Sequence, residues 1–383
     1  MIWTLPNNYH EVEPSRIVPA DIPAEKIADY LKKISPEERR ALIAREKSRL
    51  LNEPLDRSSL FNLGVLYGLE GDAQKSNDVA LQAANRSFRD LGAQNVAINH
   101  SLARSNFVDA LNRMDGLLRS RPEFAENYFD LILKAAATPA GLKASANLLA
   151  TNPPWRKDFM LFATQSIEQK SLVYNLFTSL RDIKTDVSNT ELRLLIDSLF
   201  KAKDYETAYF VWLDFLSPAE LSKVNLIYDG GFDVAARNLN FGWNFSSAKN
   251  SEVKLAPKTN VGNDMALNLQ FSALKGGFAG VSQYLRLDPG NYILKSEVKS
   301  DHLKTSSGIK WRIACIESPV QIASSDAFSD STPWKSFDLN FSVPAENCNT
   351  QLLYLSWASE AVLDHEIDGS IVFDNFQINK ANE

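Results

Sequence analysis

Apolar residues recur at three- and four-residue spacings over the first half of the chain, from about Ala24 to Leu221. This periodicity indicates amphipathic helices, because an α-helix turns once in 3.6 residues. Glycine is sparse in this region, and long strand-like alternation is absent. Turn signals divide the pattern into short segments: Ser35-Pro36, Gly71-Asp72, Thr138-Pro139, Asn152-Pro153-Pro154 and Lys203-Asp204. We therefore predict an α-solenoid of about a dozen helices, paired as hairpins.

From Lys223 onward the pattern changes to an alternation of apolar and polar residues. A period of two indicates strands with one buried face. At Pro289-Gly290-Asn291 we expect a turn, because proline presets φ and glycine accepts positive φ. The predicted strands are Ala266–Phe271, Val281–Leu287, Tyr292–Val298, Ile309–Cys315, Phe337–Val343 and Leu352–Trp357. Several short strands separated by turn residues predict an antiparallel β-sandwich.

These patterns divide the 383-residue chain into three regions. Residues 1–22 hold three prolines and little periodicity, which indicates an extended N-terminal arm. We predict a helical repeat domain over residues 23–222 and a β-sandwich over residues 223–383. Because the connection between these two domains is short, we expect the sandwich to dock against the last helices.

The helical region contains the spacing of a known repeat. Leu60, Leu63-Gly64, Tyr67 and Gly71-Asp72, followed by Ala80 and Ala83, resemble a tetratricopeptide repeat. A last unit has the same character, with Leu192, Leu195, residues 204–208, Trp212, Phe215 and Pro218. Ser76 departs from the pattern, because a small alanine is usual at its position. The resemblance implies helix hairpins that bind protein partners.

Acidic, glycine and aromatic residues bracket the predicted sandwich. It opens with Asp229–Asp233 and Phe241-Gly242-Trp243, and it closes with Ile371–Ile378. Between them lie Val281–Tyr284, Leu287–Tyr292, Trp334–Phe337 and Val343-Pro344. In this order the motifs resemble the jelly-roll carbohydrate-binding modules found beside bacterial glycanases and on cell-surface proteins. The resemblance covers about residues 224–380. Because both ends bring an acidic residue next to glycine or aromatic residues, we expect the first and last strands of the sandwich to lie side by side.

This resemblance also implies a structural calcium ion. In such modules acidic residues at the positions of Asp233 and Asp374 help to hold the ion, which prefers carboxylate and carbonyl oxygens. Glycine carbonyls of the turn at residues 229–231 would lie nearby. The alternative is that Asp233 only caps a turn and that Asp374 pairs with a surface cation.

A sugar-binding face needs an exposed aromatic ring flanked by hydrogen-bonding side chains. Alternation places Trp311 with Ile309 and Ile313, which predicts a core position for Trp311 and an outward position for its neighbour. Trp357 likewise shares a face with Leu353 and Leu355. The candidates for carbohydrate binding are Gln283, Arg312, Tyr354, Trp357 and Trp243. Of these, we expect Gln283, Arg312 and Tyr354 to share one exposed face.

Composition and charge exclude several classes of function. A net charge of −6 and the absence of a Lys/Arg cluster with interleaved aromatics argue against nucleic-acid binding. No stretch of 18 apolar residues is present, so no transmembrane segment is predicted. The N-terminus shows no signal peptide, which indicates either a cytoplasmic protein or a chain trimmed after a signal or anchor.

The two cysteines, Cys315 and Cys348, both lie in or beside predicted strands. One interpretation is a pair of buried free thiols. The other is a disulfide that closes a loop of about 30 residues, stabilises by about 3 kcal/mol and indicates an oxidising compartment.

No convincing catalytic constellation is present. The sequence lacks nucleophile-elbow, zinc-protease, Walker and dinucleotide-binding motifs. Asp364 and Glu366, with Glu360 nearby, could imitate a glycosidase pair, which would need two carboxyls held across a sugar cleft.

The sequence therefore predicts a non-enzymatic scaffold or adaptor. Its helical repeats would bind a protein partner, and its sandwich would bind a polysaccharide. The combination resembles repeat-plus-sandwich proteins encoded with bacterial exopolysaccharide and envelope machinery, which implies a periplasmic or cell-envelope location. Two alternatives are a purely structural scaffold without sugar binding and an accessory region of a glycan-processing enzyme.

Overall fold

The computed structural model describes residues 33–54, 56–87, 91–165, 170–258, 264–276 and 280–381, so the predicted arm at residues 1–22 lies outside the described residues. The chain forms two compact units, Met1–Val187 and Ser188–Glu383. The change from helices to strands comes later, between Leu221 and Asn244. Helices at residues 189–221 therefore share a compact unit with the sheets. Within the described residues, no helix has both the length and the apolar character needed to cross a membrane.

The described part of the first unit is helical. A short 3-10 helix, Pro122–Phe124, lies between two of its α-helices. The α-helices are α1 Pro36–Asn52, α2 Arg57–Leu69, α3 Ala73–Arg86, α4 Leu91–Ala103, α5 Phe107–Ser120, α6 Ala125–Ala136, α7 Pro139–Ala150, α8 Arg156–Gln165 and α9 Lys170–Asp182.

Polar side chains at the predicted turn signals start several of these helices. The hydroxyl of Ser35 accepts a hydrogen bond from the Glu38 N–H, and Pro36 is the first residue of α1. Asp72 caps α3 in the same way, and Thr138 caps α7. Such caps satisfy N–H groups that have no partner inside the helix. The turn signals in the sequence therefore fix helix starts locally.

The pair α2–α3 explains the departure at Ser76. Its hydroxyl donates a 2.7 Å hydrogen bond to the carbonyl oxygen of Gly64 on the facing helix. A Cβ on Gly64 would lie 3.6 Å from the Ser76 carbonyl oxygen and 4.0 Å from the Ala80 Cβ, so the two helices approach closely here. The helix pair is observed, whereas its assignment as a tetratricopeptide repeat stays a prediction.

The second unit begins with three helices and continues with two sheets. The helices are α10 Asn189–Lys201, α11 Tyr205–Asp214 and α12 Pro218–Leu221. The strands are β1 Asn244–Phe245, β2 Ser251–Pro257, β3 Met265–Lys275, β4 Val281–Leu285, β5 Gly290–Thr305, β6 Ile309–Cys315, β7 Gln321–Ser324, β8 Thr332–Val343, β9 Gln351–Trp357 and β10 Glu366–Lys380. All six strands predicted from alternation are present.

The strands form two five-stranded antiparallel sheets. Sheet A has the order β1-β4-β9-β6-β7, and sheet B has the order β2-β3-β10-β5-β8. The predicted antiparallel β-sandwich is confirmed. Apart from β7, which follows β6 directly along the chain, the sheet neighbours of β4, β6 and β9 come from distant parts of the chain, so the register of sheet A depends mainly on long-range pairing.

The inward faces of both sheets share one apolar core. Trp311 on β6 is completely buried, as alternation with Ile309 and Ile313 predicts. Its ring packs edge-on against Phe373 and Phe376 of β10 at centroid distances of 5.4 and 5.0 Å. An aromatic cluster is therefore part of the apolar core between sheet A and sheet B.

The opening segment lies beside the last strand, β10, although residues 229–233 form no strand and the first strand, β1, pairs with β4. The Phe376 N–H donates a 2.9 Å hydrogen bond to the Gly230 carbonyl oxygen. A Cβ at Gly230 would stand 1.8 Å from the Phe376 carbonyl oxygen, so only glycine permits this approach. The Asp229 carboxylate accepts hydrogen bonds from the N–H groups of Asp233 and Val234, each at 3.0 Å, and shapes the turn.

The structure confirms the disulfide interpretation of the two cysteines. Cys315, the last residue of β6, is bonded to Cys348 in the loop before β9, and their Cα atoms are 4.8 Å apart. Both residues are buried in the core of the sandwich. The bond therefore links the end of one central strand to the start of its neighbour.

Candidate functional site

The outward face of sheet A carries a row of side chains in register across all its strands. Asn244 pairs with Ser282, Ser282 with Tyr354, Tyr354 with Arg312, and Arg312 with Ser324. We call these five residues the polar row. Each of them is half-buried, whereas the strand neighbours of Tyr354 and Arg312 are buried. The polar row places one aromatic ring at the centre of the sheet, between hydroxyl, amide and guanidinium groups.

Hydrogen bonds hold the guanidinium group of Arg312 in place. Its Nε donates to the Ser356 hydroxyl at 2.8 Å, and one terminal nitrogen donates to the Trp357 carbonyl oxygen at 3.2 Å. The other terminal nitrogen donates to the side-chain oxygen of Gln321. These hydrogen bonds hold the guanidinium group in one position beside Tyr354.

Helices α10 and α11 border the face at one side. Tyr284 is the next outward residue after Ser282 on β4, and its ring lies 4.7 Å from that of Phe200 on α10. Tyr205 of α11 in turn contacts Phe200 at 5.2 Å. Burial raises the pKa of Tyr284. The expectation that the sandwich docks against the last helices is confirmed. These helices cover the face of sheet A at Tyr284, and the polar row lies outside the covered part.

Gln283 does not lie on this face, contrary to the sequence-based expectation. It is 1% exposed and shares the inward side of β4 with Val281 and Leu285. Its Oε1 accepts from the Tyr228 N–H at 2.9 Å, and its Nε2 donates to the Tyr228 carbonyl oxygen at 3.0 Å. The side-chain amide thus pairs with both backbone groups of Tyr228, a residue outside the strands. These two hydrogen bonds explain why a polar side chain lies on the buried face.

Trp243 and Trp357 are also buried, so neither offers a free ring to a sugar. Trp243 contacts Phe232 at 5.0 Å, and its indole N–H donates to the Asp229 carbonyl oxygen at 3.0 Å. The indole N–H of Trp357 donates to the Gly276 carbonyl oxygen at 2.9 Å, and its ring stacks on His365 at 4.8 Å. The two indoles are core residues whose polar edges are satisfied by backbone carbonyls.

Asp233 and Asp374 have separate cationic partners. Asp233 is exposed, and its Oδ2 lies 2.5 Å from the Lys223 Nζ. Asp374 is 0% exposed, and its Oδ2 lies 2.6 Å from the Lys258 Nζ. Burial raises the pKa of Asp374, although Lys258 opposes this effect. The Gly230 carbonyl oxygen, a potential ligand nearby, accepts a hydrogen bond from the Phe376 N–H.

These partners do not fit a calcium ion shared by Asp233 and Asp374. A calcium ion needs six to eight oxygen ligands around one point. Among the described residues, no group of three or more His, Cys, Asp or Glu side chains could hold a metal ion. The alternative interpretation, a turn-capping Asp233 and an Asp374 paired with a surface cation, does not describe the structure either. Asp233 pairs with Lys223, and the cation beside Asp374 is Lys258, whose side chain is only 14% exposed.

The acidic residues near the end of the sandwich are engaged locally. Asp364 accepts a 2.8 Å hydrogen bond from the Ser359 hydroxyl. Glu366 pairs with Lys275 at 3.3 Å. Each of the two carboxylates therefore has a local partner.

Sequence reasoning found Tyr354 and Arg312 but missed the rest of the polar row. Asn244 and Ser324 lie on β1 and β7, which are only two and four residues long and carry no readable alternation. Ser282 would have been found if the sequence analysis had assigned Gln283 to the inward face of β4 and Ser282 to the outward face. The signal against that choice was strong, because glutamine is rarely buried.

Comparison with solved structures finds similar folds among carbohydrate-binding modules. A CBM4 module matches with a TM-score of 0.31 and 15% identity, covering 40% of this chain and 99% of that chain. The CBM22-1 xylan-binding domain of Xyn10C from Paenibacillus barcinonensis gives 0.29 and 12%, covering 42% and 96%. A family 11 module from Clostridium thermocellum, solved with a β-1,3-1,4-mixed-linked tetrasaccharide, gives 0.27 and 16%, covering 40% and 94%. No protein-family model and no curated protein matches the sequence.

Proposed function

We propose that this chain is a non-catalytic binding protein whose sandwich binds a polysaccharide along the polar row. The observation that supports the proposal is the placement of Tyr354. Its half-buried ring lies on the central strand of sheet A, directly between Ser282 and the fixed guanidinium group of Arg312.

The chemistry of the row suits a sugar chain. The apolar face of a pyranose ring stacks on a phenol ring, and hydroxyl groups of the sugar accept from a guanidinium group and exchange hydrogen bonds with serine and asparagine. Five strands about 4.8 Å apart give a row about 19 Å long. This length favours an oligosaccharide segment over a single sugar.

Affinity electrophoresis of the full chain in polysaccharide gels tests the proposal. Tyr354→Ala should lose retention that the wild type shows, because loss of a stacking ring weakens binding by about 1–3 kcal/mol, by analogy with base stacking. Arg312→Ala should lose retention as well. Lys299→Ala is the matched control, because Lys299 is an exposed residue of β5 in the other sheet.

If Tyr354→Ala and Arg312→Ala both migrate like the wild type across a broad glycan panel, the sugar-binding proposal is wrong. A purely structural scaffold would then be the better account. Release of reducing ends from a retained glycan would instead favour the glycan-processing alternative.

We further propose that the glycan is an exopolysaccharide or a cell-envelope polysaccharide and that the helices of the first unit bind a protein partner. Stacked helix pairs offer extended surfaces for such a partner. Capture experiments with the full chain and with Val108→Asp, which alters an exposed apolar side chain of α5, test the second part. If both forms capture the partner equally well, the partner binds at a surface that does not include Val108.

A further inference from the structure

Two carboxylates face each other on the outward side of sheet B. Asp374 on β10 is the cross-strand partner of Glu297 on β5. Asp374 is completely buried, and the Glu297 side chain is 37% exposed. Asn375 fixes both groups, since its N–H donates to an Asp374 oxygen at 2.7 Å and its amide donates to a Glu297 oxygen at 2.9 Å. Both carboxylates therefore remain in place as a pair.

Lys258 brings its ammonium group to this pair from the end of β2. Its Nζ lies 2.6 Å from the Asp374 Oδ2 and 2.8 Å from the Glu297 Oε2. The same nitrogen lies 4.8 Å from the centroid of the Trp334 ring. Only 14% of the lysine side chain is exposed. The ammonium group thus has two anionic oxygens and an aromatic face as neighbours.

A buried carboxylate requires a counter-charge. Desolvation of an unpaired ionised group costs several kcal/mol, and removing one partner of a buried pair leaves that cost uncompensated. Paired carboxylate oxygens also suit a hard metal cation, whereas an aromatic face favours an ammonium group. The Trp334 ring beside the carboxylates therefore favours an ammonium group over a metal ion at this position.

We infer that Asp374, Glu297 and Trp334 form a cation site whose resident cation is the ammonium group of Lys258, in the role that a divalent metal would otherwise take. The sandwich then carries its own counter-charge and does not depend on a metal for stability. Removal of the lysine amine leaves the two carboxylates without a counter-charge, and Ca²⁺ at high concentration, with water as its remaining ligands, then partly replaces the lysine. The inference does not rest on the proposed glycan binding, because the site lies on the opposite sheet.

Thermal unfolding of the full chain in excess Ca²⁺ and in excess EDTA tests this inference. The wild type should have the same Tm in both. Lys258→Met should lower Tm in EDTA by about 5 °C or more, and Ca²⁺ should restore part of the loss. Lys258→Arg keeps a cation at the site and should remain indifferent to Ca²⁺.

Two further variants separate this site from a general loss of stability. Lys223→Met removes the partner of Asp233 and should show no Ca²⁺ response, because that pair is exposed. The double variant Lys258→Met/Asp374→Asn should recover Tm relative to Lys258→Met and lose the Ca²⁺ response.

A wild-type Tm that rises with Ca²⁺, together with loss of that rise in Asp374→Asn, would overturn the inference in favour of a resident metal. A folded Lys258→Met with wild-type Tm and no Ca²⁺ response would overturn it as well. If Lys258→Met does not fold, the wild type and Lys258→Arg still decide between lysine and metal.

Discussion

At the scale of single residues, the partner of a side chain decides its role. Gln283 and Arg312 are both polar residues on strands of sheet A. Gln283 is buried because its amide satisfies both backbone groups of Tyr228. Arg312 stays half-exposed because its hydrogen bonds leave it on the outward face.

We predict that Gln283→Leu destabilises the second unit by about 1–3 kcal/mol, because the N–H and carbonyl groups of Tyr228 lose their partners in a buried position. Urea unfolding of the full chain, followed at the transition of the second unit, measures this change. Ser282→Ala is the control, since Ser282 lies next to Gln283 but on the outward face, and it should change the free energy of unfolding by less than about 0.5 kcal/mol. Equal effects of the two substitutions would contradict the structural role of Gln283.

A second prediction concerns Gly230. Gly230→Ala should destabilise by about 3 kcal/mol or more, because the new Cβ would stand 1.8 Å from a backbone oxygen of Phe376. Gly280→Ala is the matched control, since a Cβ at Gly280 meets no atom within 4 Å. Differential scanning calorimetry of both variants checks the prediction. Similar melting profiles for the two would show that the opening segment does not need its close contact with β10.

At the scale of elements, β10 and the disulfide connect parts of the sandwich that are distant in sequence. β10 pairs with β3 on one side and β5 on the other, and its N- and C-terminal halves both contribute core aromatics or aliphatics. The disulfide fixes the end of β6 to the loop that leads into β9, its neighbour in sheet A. The disulfide therefore helps to hold β6 and β9, the strands that carry Arg312 and Tyr354, in register.

Reduction of the disulfide should therefore lower the stability of the second unit by about 3 kcal/mol, the value expected for a closed loop of this length. The two cysteines are 33 positions apart. Titration of unreduced, unfolded protein should count no free thiols, and chemical unfolding with and without reductant gives the free-energy difference. Cys315→Ala/Cys348→Ala should behave like the reduced protein. Two free thiols in the unreduced protein would contradict the prediction.

At the scale of the whole molecule, the boundary between the two compact units, at residue 188, lies before the change from helices to strands, which comes after residue 221. Trp212 on α11 is buried, and its ring contacts Phe241 at 5.9 Å and Tyr228 at 5.2 Å in the segment that precedes β1. Arg237 donates to the side-chain oxygen of Asn189 at 2.8 Å and to the Phe215 carbonyl oxygen at 2.8 Å. The helices at residues 189–221 thus cover apolar and polar groups of the segment that leads into sheet A.

We predict that a fragment of residues 188–383 is more stable than a fragment of residues 224–383, by about 3 kcal/mol or more. The shorter fragment exposes aromatic side chains that the helices bury, and each such side chain contributes about 2 kcal/mol. Thermal unfolding of both fragments measures the difference. A shorter fragment that melts at the same temperature would assign the helices to a separate folding unit.

The sequence by itself determined the classes of secondary structure, several helix starts and the core side of the central strands. These features depend on neighbours in the chain: Ser35 and Asp72 cap helices within three residues, and Ile309, Trp311 and Ile313 alternate along one strand. The sequence also indicated that the two ends of the sandwich meet, but it predicted two paired strands where the structure has an irregular segment, residues 229–233, against β10. Local periodicity and local hydrogen bonds are encoded in adjacent residues.

The tertiary structure alone decided the sheet order, the burial of Gln283, the partners of the aspartates and the extent of the polar row. Each of these depends on which strands become neighbours and in what register, and a shift of one residue exchanges the two faces of a strand. The Lys258 ammonium reaches Asp374 from a distant part of the chain, and no spacing rule connects the two residues. Long-range pairing is fixed by packing of the whole core, and so these contacts could not be read from the sequence.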